Sequence, residues 1–220
     1  MKTITLTFDN GPDPVVTPQV LDILSRHTIQ TTFFVLGDKL RDRRAVAARA
    51  HTEGHWVGNH TFNHIVPLGM ASEAFFSESE ILRTAELIGD LAHARNFFRP
   101  FGGGGNLDGR LLNTEALGVL TTQKFTCVLW NAVPQDWAYP RTWVERAMQI
   151  CRQQDETLMV LHDLPTGAMD RLDTFICQAK DEGFTFKQEF PAACVPIERG
   201  VIQYPIDDIL TTNSTIHSNG

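Results

Sequence analysis

His60 and His64, four positions apart in His60-Thr61-Phe62-Asn63-His64, are the first residues whose type and spacing could do chemistry. On one turn of helix their imidazoles would face the same way and could share a metal ion. A third donor would complete a three-ligand site with positions open for water, as a hydrolytic metal needs. Asn10 offers that donor through its amide oxygen. Four more residues belong to the same discussion: Asp9 in Asp9-Asn10-Gly11-Pro12, Arg99, Asp136 beside Trp137, and His162 closing Leu158-Met159-Val160-Leu161. Each has a plain structural use as well. Asp-Asn-Gly-Pro is turn chemistry, an arginine can be an ion-pair partner, and a histidine ending an apolar strand is often a hydrogen-bonded core residue. What sets the group apart is where its members fall.

The elements around them alternate. Ile4-Thr5-Leu6-Thr7-Phe8 has the period of two expected of a strand. A helix is predicted from Thr17, with Pro18 at its first position and Val20, Leu21 and Leu24 on one face. Residues 31–36 read as a second strand, 41–53 as a helix stopped by Gly54, and 55–58 as a third strand. Ser72 is expected to cap a long helix with Phe76, Ile81, Ala85 and Ile88 on its apolar face. Residues 97–98 form a fourth strand ahead of the glycine run 102–105, 111–120 a helix, and 125–130 a fifth strand. Trp143, Ala147 and Ile150 mark another helix, 157–161 a sixth strand, 169–182 a helix and 184–186 the start of a seventh strand.

Glu53-Gly54-His55 and Glu182-Gly183-Phe184 each place a glycine just past a helix and then begin a strand. This rhythm argues for a parallel sheet, and about seven units favour a distorted (β/α) barrel over an open sheet. In such a barrel the carboxyl ends of the strands converge on one rim. Asp9, His60, His64, Arg99, Asp136 and His162 all follow strands, so all are expected there. Residues 1–212 read as one domain, and the polar stretch 213–220 as a frayed tail.

These residues carry a family resemblance. Thr7-Phe8-Asp9-Asn10-Gly11-Pro12 resembles the Thr-Phe-Asp-Asp-Gly-Pro motif of the NodB-like polysaccharide deacetylases, and His60-Thr61-Phe62-Asn63-His64 matches their His-Ser/Thr-x-x-His. Arg99-Pro100-Phe101-Gly102 is similar to their Arg-Pro-Pro-Tyr-Gly but one residue shorter; Asp136-Trp137 ends their Asp-x-x-Asp-Trp; Leu158 to His162 resembles Leu-x-Leu-x-His. The motifs occur in family order over most of the chain. The resemblance implies metal-assisted hydrolysis of an acetyl or related acyl group from an amide nitrogen of a sugar or small amide. Asp9 would be general base, held ionised by Arg99, and His162 the general acid, oriented by Asp136. Asn10, His60 and His64 would hold a divalent metal, zinc first, with Trp137, Phe101 and Gly102 lining the substrate groove.

The chain also departs from the pattern. Asn10 stands where the family has a metal-binding aspartate, which should weaken the metal; Val133 replaces the first aspartate of the fourth motif; and the glycine run is unusual. Two alternatives follow: an allantoinase-like, metal-independent hydrolase of cyclic amides or ureides, and a barrel that binds carbohydrate without turnover. Retention of a base and an acid argues against the second. The chain has 220 residues and a formal net charge of −7, with no basic stripe for nucleic acid. There is no run long enough to span a bilayer and no signal-peptide pattern at the N-terminus. Cys127, Cys151, Cys177 and Cys194 form no CxxC pair, so a cytoplasmic protein with reduced, mostly core thiols is expected.

Overall fold

The computed structural model describes residues 2–211; the predicted tail at 213–220 lies outside them. The elements are β1 (Thr3–Gly11), α1 (Val16–His27), β2 (Thr32–Val35), α2 (Gly37–Thr52), β3 (Trp56–Asn59), α3 (Phe76–Ile88), β4 (Phe97–Phe98), β5 (Leu112–Asn113), α4 (Thr114–Thr122), β6 (Thr126–Cys127), α5 (Trp143–Arg152), β7 (Glu156–His162), α6 (Leu172–Asp181), β8 (Thr185–Phe186), β9 (Ile197–Glu198), β10 (Val201–Ile202) and β11 (Leu210–Thr211). The strands β6, β4, β3, β2, β1 and β7 lie side by side in that order and parallel. β8 pairs with the amino end of β1, also parallel. A bridge between Ala132 and Met159 joins the segment after β6 to β7, so the sheet curls back on itself as a distorted (β/α) barrel.

The central strand shows why the sequence folds this way. Ile4, Leu6 and Phe8 pack outward against Val20, Leu21, Leu24, Trp143 and Phe175 from the helices. Thr5, Thr7 and Asp9 alternate with them and are equally buried. Their polar atoms are served inside the barrel: Thr5 Oγ1 donates to Glu189 O at 2.8 Å and Thr7 Oγ1 to Met159 O at 2.7 Å. A strand buried on both faces is the ordinary condition of a parallel sheet under helices. Beneath the rim the barrel is filled by Phe34, Phe97, Val128 and Leu158, with Phe190, Cys194 and Val195 inserted from the chain that follows β8.

Some boundaries differ from expectation. The first helix begins at Val16, so Pro18 is its third residue; Asp13 Oδ1 accepts from the N–H of Val15 and Val16 ahead of it. Ser72 does not cap α3, which starts at Phe76 after Phe75 in the left-handed region. The predicted helix 111–120 starts later, at Thr114, because Leu112 is used in β5 and Asn113 caps the helix by accepting from Ala116 N–H at 2.8 Å. After Phe190 the βα rhythm gives way to an antiparallel pair, β9 and β10, at the sheet edge. Cys127, Cys151 and Cys194 are buried, and Cys177 is exposed. No described helix is long and apolar enough to cross a membrane.

Phe8 is fully buried and stacks on Phe33 with ring centroids 5.2 Å apart. Phe8→Ala should lower the free energy of unfolding by about 3–5 kcal/mol, read from urea denaturation.

Candidate active site

Asp9 and Arg99 form the centre of the rim. Both side chains are out of solvent, at 4% and 0% exposure, and Arg99 Nη1 donates to Asp9 Oδ1 at 2.9 Å. The guanidinium has other partners: Thr7 Oγ1 at 2.6 Å, Val128 O at 3.1 Å and Leu129 O at 3.1 Å. It also lies over the Phe34 ring, 4.1 Å from the centroid. A buried charge pair survives only with this degree of hydrogen bonding. The second carboxylate oxygen, Oδ2, faces His60 Nε2 at 3.6 Å.

His60 and His64 come together as expected, with ring centroids 5.1 Å apart, but not on a helical turn. They sit on an irregular loop after β3, where Thr61 and His64 have φ of 70° and 57°. Asn59 Oδ1, accepting from Thr61 N–H at 3.0 Å, and Glu80 Oε2, accepting from Phe62 N–H at 2.9 Å, shape that loop. His60 Nδ1 is 2.8 Å from Arg99 O and donates to it, which leaves the Nε2 lone pair free. Burial pulls His60 below the usual histidine range despite nearby Asp9, and burial with neighbouring His60 takes His64 to about 3. Both imidazoles are therefore neutral at pH 7 and able to bind a cation.

Asn10 completes the trio. It has φ of 71°, a region asparagine tolerates better than most residues. Its Oδ1 is buried with no hydrogen-bond partner among the described residues, although buried carboxamide oxygens are normally satisfied. An unpaired oxygen beside two neutral imidazoles fits a divalent cation.

His162 stands next to Asp9 across the β1–β7 ladder, as its register partner. Asp136 grips it twice: Oδ2 accepts from the His162 backbone N–H at 2.9 Å, and Oδ1 from Nδ1 at 2.9 Å. Burial alone would lower the imidazole pKa, but the hydrogen bond and charge of Asp136, joined by the charges of Asp9 and Asp163, outweigh it and hold His162 above the usual histidine range. Trp137 meets its ring edge-on, with centroids 4.7 Å apart.

Asp9, Asn10, His60, His64, Trp137 and His162 open on one cleft of about 480 Å³, while Arg99 and Asp136 lie buried behind it. Phe101 stacks on His64, centroids 3.8 Å apart, and forms one wall with Gly102. The glycine run is a closely approached turn: Gly105 has φ of 83°, its carbonyl accepts from Trp130 Nε1 at 2.8 Å, and a Cβ there would strike Val133. Ile65, Pro67, Trp130, Val160 and Leu164 also line the cleft; in the sequence such apolar wall residues are indistinguishable from core. A larger hollow of about 560 Å³ lies beside His55 but contains none of the site residues. His55 there is spent as acceptor of the Thr31 N–H at 3.1 Å.

Behind the cleft, Asp163 is buried against Gly11, where a Cβ would collide with its carboxylate, and accepts from Thr17 Oγ1. The strand-end rule that picks out His162 could have extended to Asp163. Nothing in the sequence marks Lys39, whose Nζ donates to Asn10 O at 2.7 Å.

A carboxylate and a histidine on adjacent strands, two further imidazoles and a carboxamide oxygen thus gather at one βα-barrel rim. The polysaccharide deacetylase family model matches residues 1–119. A peptidoglycan-N-acetylglucosamine deacetylase of Bacillus cereus is 32% identical over 183 residues, 81% of this chain and 79% of that protein. The chain spans 37% of the length of the Listeria monocytogenes peptidoglycan-N-acetylglucosamine deacetylase PgdA, at 30% identity over 84% of this chain. Among solved structures, a peptidoglycan N-acetylglucosamine deacetylase in complex with 4-naphthalen-1-yl-N-oxidanyl-benzamide aligns with a TM-score of 0.72 at 29% identity, covering 84% of this chain and 85% of that one. A family 4 acetyl xylan esterase from Clostridium thermocellum in complex with a cobalt ion aligns at 0.68 and 26% identity, covering 85% and 88%. The chain belongs to the polysaccharide deacetylases, hydrolases of carbon–nitrogen bonds other than peptide bonds.

Arg99→Met leaves Asp9 buried without its cation and should cost about 3–5 kcal/mol of stability. Adding Asp9→Asn should cost less than the sum of the two single changes, measured by chemical denaturation.

Proposed function

We propose that this protein removes an acetyl group from an N-acetylated amino sugar in an oligosaccharide or glycan strand. Asp9 acts as general base and His162 as general acid, with a divalent cation, zinc by preference, held by Asn10, His60 and His64. The reading rests on one observation above the rest: Asp9 and His162 are register partners on one rim, beside the unpaired Asn10 Oδ1 and two neutral imidazoles. The family supplies the reaction class.

Such a cation, when bound, supplies a Lewis acid that polarises the acyl carbonyl. The remaining work belongs to the chain. Arg99 occupies Asp9 Oδ1, so Oδ2 is the oxygen that takes a proton from the attacking water. The new carbon–oxygen bond forms at the acyl carbon. As the carbon–nitrogen bond breaks, the His162 imidazolium passes its proton to the departing amine nitrogen, giving acetate and the free amino sugar. Asp136 keeps the imidazole turned so that Nε2 is the donating atom. Trp137, Phe101 and Gly102 line the groove for the sugar; aromatic faces suit its apolar C–H faces. Keeping both an acid and a base favours turnover over carbohydrate binding alone.

Acetate release from N-acetylglucosamine oligomers tests the proposal. Asp9→Asn and His162→Ala should each lower kcat by about 10²–10⁴-fold. Chelation should abolish activity and zinc restore it; full activity after exhaustive chelation would support the metal-independent alternative. The pH profile carries a further check. The acid works protonated, and His162 is held above the usual histidine range. Activity should therefore persist through neutral pH and fall only as pH rises past that raised value. Asp136→Asn should move this alkaline limb to lower pH, and an unmoved limb would remove Asp136 from the role.

A further inference from the structure

The turn that carries Asn10 is held from outside the cleft. Lys39 and Arg43 lie one helical turn apart near the start of α2; Lys39 reaches the carboxyl end of β1 and Arg43 the loop that follows it. Lys39 Nζ donates to Asn10 O at 2.7 Å, and Arg43 Nη1 donates to Pro12 O at 3.0 Å. At Arg43 the helix leaves helical geometry, with φ of −132° and ψ of 28°. Further along, Asp13 N–H donates to Thr17 Oγ1 at 2.8 Å, and Thr17 in turn donates to Asp163. Lys39 is the cation in this set that touches Asn10 itself. Its side chain is half-buried and does not line the cleft, so it meets neither substrate nor reacting atoms.

Asn10 needs such a hold. Its positive φ is sparsely populated even for asparagine, and its Oδ1 has no hydrogen bond to fix its direction. A carboxamide brings no net charge to draw a cation in, so its value as a ligand depends on where its oxygen is kept.

We propose that Lys39 is a positioning residue for the cation site, acting through the Asn10 carbonyl to keep Oδ1 turned into the cleft. This rests on the cation site proposed above. It also separates two physical roles by sign. A lysine acting only through its charge repels a nearby dication, so removing it would tighten zinc binding. A lysine acting by position does the reverse.

The experiment is zinc affinity of the chelator-stripped protein, measured by competition with a chromophoric chelator and requiring no turnover. Lys39→Met keeps most of the apolar stem, and Lys39→Gln keeps a polar tip that falls short. Both should bind zinc about tenfold to a hundredfold more weakly, the usual effect of losing a group that orients a ligand. Lys39→Arg, which can still donate to the carbonyl, should stay close to the wild type. In an Asn10→Ala background Lys39→Met should change nothing further. Unchanged or tighter binding by Lys39→Met and Lys39→Gln overturns the proposal, as does an equal loss without Asn10. A wild type that binds no zinc overturns the cation site as well; a wild type that binds zinc alongside unaffected Lys39 variants overturns the positioning role alone.

Discussion

The rim is organised around one buried guanidinium. Arg99 enters the barrel from the end of β4 and is exposed to no solvent. Its side chain joins β1, through Thr7 and Asp9, to the segment after β6, through the carbonyls of Val128 and Leu129. Its own backbone carbonyl accepts from His60 Nδ1. One residue thus fixes Asp9, the proposed base, with its charged end and sets the tautomer of a candidate metal ligand with its main chain. An unpaired charge at this depth would be untenable. The requirement that Arg99 be satisfied therefore constrains the chemistry and the packing of three strands together.

The proposed roles of Asp9 and His162 depend on the strand register. Asp9 and His162 are partners across β1 and β7. Asp9 has Arg99 as its nearest counter-charge, and His162 has Asp136. An anion beside a cation and an imidazole beside an anion are the environments that separate a proton acceptor from a proton donor at a single pH. No mobile element is needed to bring the two together, because the hydrogen-bonded ladder does it.

Much of this was legible in the sequence because parallel strands give a positional rule. A polar residue at the end of an apolar strand run lands on the carboxyl rim. His60 and Arg99 directly follow β3 and β4, whereas Asp9 and His162, expected after their strands, are the late residues of β1 and β7 themselves, because the ladder between them runs on to that pair. The rule depends only on strand direction, so errors of a few residues in helix ends did not damage it. What the sequence hid was local geometry set by distant partners. The loop from His60 to His64 has helical spacing, yet Glu80 on α3 captures its N–H groups and two residues take positive φ. Ser72 has the right type for a cap and the wrong place, since α3 packs through Ser77 against Asn113. Cys177 lies on the outer face of α6, where nothing in a cysteine count could place it. Lys39 contributes through a main-chain contact across 29 positions, which no side-chain motif records.

The neutral trio has its own consequence. At about 4 Å and an effective dielectric near 20, one unit charge interacts with another by about 4 kcal/mol, and more with a dication. An amide in place of a carboxylate gives up attraction of that order. The nearby carboxylate that remains, Asp9, already shares its charge with Arg99. Affinity for a cation must then come from geometry that costs nothing to assemble at the moment of binding. The end of β1 and the turn after it have that character: the carbonyls of Asn10 and Pro12 are held by Lys39 and Arg43, the amide of Asp13 by Thr17, and Gly11 sits flush against Asp163. The neutral side chain at position 10 and the many contacts on the turn behind it are thus complementary features of the proposed cation site, because a weaker ligand is useful only when it has nowhere else to point.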